Sequence, residues 1–65
     1  MEKAILKQYI NTKVGVGVEN FLDPAKLFFY FGILEQVTDS YIILETDTGH
    51  KQINLDDVLE IRDDS

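Results

Sequence analysis

The run Leu27-Phe28-Phe29-Tyr30-Phe31-Gly32-Ile33-Leu34 constrains the fold more than any other part of the chain. On an extended backbone Phe28, Tyr30, Gly32 and Leu34 share one face, and Phe29, Phe31 and Ile33 share the other. Aromatic and β-branched residues fit a pleated surface, and the strand signal continues to Val37. A strand apolar on both faces has to be covered on both faces. One side can form the core of a small sheet protein. The other needs the N-terminal helix, a partner chain, or both.

Size sharpens that requirement. The chain has 65 residues, and a domain of this length buries only about 60% of the surface its unfolded chain exposes. Chain entropy then nearly cancels apolar burial, so natural domains of this size often carry a staple. With no Cys, neither a disulfide framework nor a Cys-based zinc site is available. An efficient core, a bound ligand or self-association remain. The apolar share of 45% excludes a disordered chain. Residues 1–65 form one domain, with no room for a two-domain enzyme and its cleft.

The rest of the chain supplies short elements. Residues 2–11 predict a helix with Ile5, Tyr9 and Ile10 as its apolar stripe and Leu6 on the edge. At about two and a half turns it is too short to stand alone and has to dock. Val14-Gly15-Val16-Gly17-Val18 alternates at the strand period, with one β-branched face and one bare face. A bare face permits a bend or a close approach by another element. Asp23-Pro24 marks the loop that follows, and Thr38-Asp39-Ser40 marks a turn. Tyr41–Thr46 is the third strand. Asp47-Thr48-Gly49-His50 is a hairpin turn, and Lys51–Asn54 is the fourth strand with Ile53 inward. Leu55–Val58 is one tight helical turn before a last strand, Leu59–Arg62. A helix followed by five short, bent strands over about 13–62 predicts a mainly β fold, a small five-stranded SH3-like barrel with an N-terminal α-helix.

In this order of elements the chain resembles the Sm-like (LSm) family over nearly its whole length. Phe31-Gly32-Ile33-Leu34 with Val37, Asp39 and Ile42 is similar to the family's first motif, with one extra residue between Val37 and Asp39. Ile53-Asn54-Leu55-Asp56-Asp57-Val58 stands where the second motif falls and keeps its apolar ends. The resemblance implies the barrel and a tendency to assemble. The family's usual RNA-binding residues are not retained. Its RNA-contacting Asn falls on Ile42 or Ile43, its Arg on Asn54 and the following Gly on Leu55. An aliphatic side chain cannot hydrogen-bond a base edge, and Asn54 supplies neither the charge nor the stacking plane of a guanidinium.

No motif specifies a reaction. His50 is the only His and reads as a solvated turn residue, with Asp47 its nearest acid in sequence. Ser40 and Ser65 have no visible base. Asp56, Asp57, Asp63 and Asp64 lack the interleaved spacing of a cation loop, and Asp56 is expected to cap the short turn. Gly15-Val16-Gly17 lacks the third Gly and the helix of a phosphate-binding fingerprint. No catalytic residue, cofactor site or metal site is predicted.

The expectation is a non-catalytic interaction or assembly module that self-associates into a homo-oligomer. Its interface is predicted to use Phe29, Phe31, Ile33, Tyr41, Ile43, Leu59 and Ile61. An alternative is an Sm-type RNA-binding ring with a variant pocket, Tyr41 stacking bases and Lys51 and Arg62 meeting phosphates. Charge bears on that choice. Residues 1–32 carry four Lys against three acids, and residues 33–65 carry Lys51 and Arg62 against nine acids. An acidic second half argues against broad, nonspecific nucleic-acid binding. It also raises a third reading, an acidic monomeric inhibitor of a basic nucleic-acid-binding protein. The longest apolar run, eight residues, cannot span a bilayer, and no signal peptide is seen, so a cytoplasmic location is expected.

Overall fold

The computed structural model describes all 65 residues. A short helix, α1 (Lys3–Lys7), precedes five strands: β1 (Lys13–Glu19), β2 (Leu27–Val37), β3 (Tyr41–Thr46), β4 (Gly49–Asn54) and β5 (Glu60–Asp63). A 3-10 turn over Leu55–Asp57 links β4 to β5. All strand pairs are antiparallel, in one sheet of order β4-β3-β2-β1-β5. No helix is long and apolar enough to cross a membrane.

The two-faced strand behaves as its alternation demands. Across β1 and β2, Val14 pairs with Gly32, Val16 with Tyr30 and Val18 with Phe28, which places these residues on the concave face. Val14, Val16, Leu34, Ile42 and Leu44 are fully buried there, joined by Ile53, Leu55, Val58 and Leu6. On the convex face Gly15 pairs with Phe31 and Gly17 with Phe29. The two rings stack on each other, with centroids 6.1 Å apart and planes inclined at 24°. They lie on the bare backbone of β1, so that a Cβ on Gly15 would stand 2.8 Å from the Phe31 ring.

The sheet does not close into a barrel, contrary to the expectation from sequence. β5 is only four residues long and pairs with β1 alone, β4 pairs with β3 alone, and the outer edges of both are free. Side chains seal the interior where hydrogen bonds would have closed it. Leu55 and Val58 of the linking turn are buried, with Met1 packed against the same cluster. The Met1 amino group donates to the carbonyls of Leu55 (2.7 Å) and Val58 (3.2 Å). The turn itself begins after Asn54 and has no side-chain cap, so Asp56 lies inside it and does not cap it.

The N-terminal segment also differs from its prediction. The α-helix covers five residues, and the chain then tightens through i→i−3 bonds from Tyr9 to Leu6 (3.0 Å) and from Ile10 to Lys7 (3.4 Å). Asn11, at φ 68°, ends it. Its N–H donates to the Leu34 carbonyl (2.7 Å), and the Thr12 carbonyl accepts from Leu34 N–H (3.1 Å). This stitching to β2 rotates the helix so that Leu6 is fully buried while Ile5 and Ile10 of the expected stripe face out. The helix therefore plugs the concave side and leaves Phe31 and Ile33 exposed. Leu6→Ala is expected to destabilise the fold by about 2 kcal/mol, the low end for a buried Leu because a short helix can settle inward. A shift in urea midpoint at unchanged slope measures it.

Lys3 pairs with Asp39, tying α1 to the β2–β3 turn. The hydrogen bond from Lys3, and then its charge, hold the Asp39 carboxyl below its ordinary value. A carboxylate depressed in the folded state stabilises it above the unfolded pKa, and that stabilisation is lost as pH falls through the folded value. Asp39→Asn should therefore separate from the parent in urea midpoint at pH 7. The separation should close on acidification well below pH 3.8, the ordinary Asp value. The pair is exposed, so the effect is small.

Candidate functional site

Two features of the fold are unfinished within one chain: the free edges of β4 and β5, and the convex aromatic face of β2. An edge strand presents unpaired N–H and C=O groups to any strand that can reach it. Between the two edges lies an open cleft, with Lys51–Asn54 of β4 on one side and Val18, Tyr30 and Leu59 on the other.

Of the residues predicted to form an interface, Phe31, Ile33 and Leu59 are exposed, and Phe29, Tyr41 and Ile43 are half-buried. Leu59 precedes β5 and donates its N–H to the Gly17 carbonyl at 2.8 Å. Ile61 does not face outward: it pairs with Val16 and packs against the core. Phe29, Phe31 and Ile33 make one continuous strip along β2. Tyr41 and Ile43 do not simply extend it. On the convex face Ile33 pairs with Glu45, and Ile43 follows two residues back along β3. The register shift between Leu34 and Gln36 adds Glu35 at this point. Ile33 and Ile43 thus occupy one diagonal of a four-residue square, and Glu35 and Glu45 the other.

The residues of the RNA alternative are not brought together. The Lys51 ammonium stands 4.8 Å from the centre of the Tyr30 ring, on the concave side. The Arg62 guanidinium stands 4.1 Å from the centre of Phe29, on the convex side, with its Nε donating to Glu60 at 2.8 Å. Tyr41 pairs with Asn54 at the far end of β3. Each cation already covers an aromatic ring of its own chain.

His50 is not a turn residue. The hairpin turn is only Asp47-Thr48, and His50 lies on β4 directly opposite Glu45. Its Nε2 is 2.8 Å from Oε1 of Glu35. The Glu45 carboxyl is raised above its ordinary value, first by its hydrogen bond to Glu35, then by that residue's charge and by partial desolvation, against the pull of His50. Nothing local in the sequence signals this trio, because its members stand on three strands that only the sheet registers bring side by side. Sequence also gave no role to Phe21 and Leu22, which the β1–β2 loop leaves 87% and 97% exposed. The Asn20 side chain holds that loop by accepting from Leu22 N–H (3.0 Å) and Asp23 N–H (3.1 Å).

Comparison with protein-family models, with curated proteins and with solved structures yields no match.

Proposed function

We propose that the chain is a cytoplasmic, non-catalytic, Sm-like assembly module that self-associates through its strands. The observation that carries this reading is the coincidence of two free sheet edges with an exposed aromatic strip that α1 leaves uncovered. The β5 edge of one copy pairs with the β4 edge of the next. Because these edges differ in sequence, the contact is head-to-tail, and repetition closes a ring if the rotation per subunit permits. Pairing removes both edge liabilities. Leu59, beside the β5 edge, supplies apolar area at that contact, and the strip formed by Phe29, Phe31 and Ile33 on the central strand is covered by a second contact across the convex face.

The RNA-binding alternative gains no comparable support, since Lys51 and Arg62 lie on opposite faces. Light scattering over a wide concentration range tests the proposal. A closed oligomer is expected down to micromolar chain concentration, and a 7.5 kDa species throughout would overturn it.

A further inference from the structure

The convex face carries one arrangement that self-association leaves unused. Glu35 of β2, Glu45 of β3 and His50 of β4 project from three adjacent strands, and one ligand atom from each lies within 4.8 Å of the others. All three residues are exposed, and none belongs to the aromatic strip. We propose that Glu35, Glu45 and His50 form a three-residue site for a divalent transition-metal ion of the zinc class, with water completing the coordination.

The donor set fits that class. One imidazole nitrogen and two carboxylate oxygens suit zinc and its neighbours better than the all-oxygen shells of calcium or magnesium. Ligand atoms around a tetrahedral zinc stand roughly 3.4 Å apart, given bonds of about 2.0–2.1 Å. Nε2 of His50 and Oε1 of Glu35 are at 2.8 Å, and the widest separation in the trio is no more than 4.8 Å. Rotamer adjustments of exposed side chains cover the difference, while hydrogen-bonded strands hold the Cα positions.

The backbone supplies the second reason. Glu35 sits at the register shift between Leu34 and Gln36, two residues along β2 from the Ile33–Glu45 pair, and Glu45 in turn pairs with His50 on β4. Like charges on neighbouring strands oppose sheet formation. The net charge is −6, and in the other ion pairs each acid faces a cation: Asp39 with Lys3, Asp23 with Lys26 and Glu60 with Arg62. The Glu35–Glu45 approach is the exception. A divalent cation between the carboxylates turns that repulsion into attraction, and His50 selects a nitrogen-accepting metal.

Titration calorimetry of the intact chain with zinc chloride, in chelator-free buffer at pH 7.5, tests the site. Saturable binding of one zinc per chain is expected, weakened at least tenfold by His50→Ala and by Glu35→Gln. Asp56→Asn/Asp57→Asn, which removes an acidic pair elsewhere, should leave it unchanged. Circular dichroism establishes that each variant folds, and a zinc-induced shift of the His50 ring nitrogens in ¹⁵N spectra gives an independent readout. No saturable binding would overturn the proposal. So would affinity unaffected by His50→Ala, or calcium binding as tight as zinc, since either outcome means diffuse attraction to an acidic surface. Native mass is read separately, so the site and the assembly can fail independently.

Discussion

Phe31→Glu is expected to reduce the native mass to that of a single 7.5 kDa chain. Phe31 is 51% exposed and lies on the convex face, stacked on Phe29 and over Gly15, with no part in the buried core. Its replacement therefore removes little that the isolated chain needs. In an assembled interface the same change buries a carboxylate without a partner, at several kcal/mol per ion. About 4 kcal/mol corresponds to roughly a thousandfold weaker association. Light scattering reads the outcome, and circular dichroism checks the fold. Ile5→Glu is the matched control, because Ile5 is similarly exposed, at 43%, but sits on α1 away from the strip. Its mass should equal the parent's. A folded Phe31→Glu protein that keeps the parent mass would remove the aromatic strip from the interface.

Gly32→Ala should remove a large share of the stability of the fold. Gly32 lies on the concave face of β2, and a Cβ there would overlap the carbonyl oxygen of Glu45 and stand 3.0 Å from its carbon. The obstacle is backbone. Relief requires β3 to move from β2, and β3 carries the fully buried Ile42 and Leu44. Overpacking of this kind costs about 3 kcal/mol, against a total stability of roughly 3–10 kcal/mol for a domain this small. Gly15→Ala makes the contrast. The atom met there is the edge of the exposed Phe31 ring, which can swing aside, so a loss of about 1 kcal/mol is expected. Urea midpoints rank the two. Equal midpoints for Gly32→Ala and the parent would mean that β3 is not held against β2 as described.

The strands were legible to different depths for reasons that can be named. β2 and β3 have the predicted bounds, Leu27–Val37 and Tyr41–Thr46, because each is a run rich in aromatic and β-branched residues bounded by turn residues. The glycine-valine alternation of β1 identified its bare face, on which Phe29 and Phe31 came to rest. The helix was found but its orientation was not. Ile5 and Leu6 are equally apolar neighbours, and only the bonds joining Asn11 and Thr12 to Leu34 decide which one turns inward.

Sequence by itself determined a mainly β chain of five strands behind a short helix, and the pairing of one buried face with one aromatic face. Those properties follow from local geometry, since successive side chains on a strand must point to opposite sides. Tertiary structure alone decided that the sheet stays open, that Ile61 belongs to the core, and that Lys51 and Arg62 lie on opposite faces. It also brought Glu35, Glu45 and His50 together from three strands. Each of these depends on which strands meet and in which register. Such contacts are settled by the packing of the whole chain, and no local period in the residues encodes them.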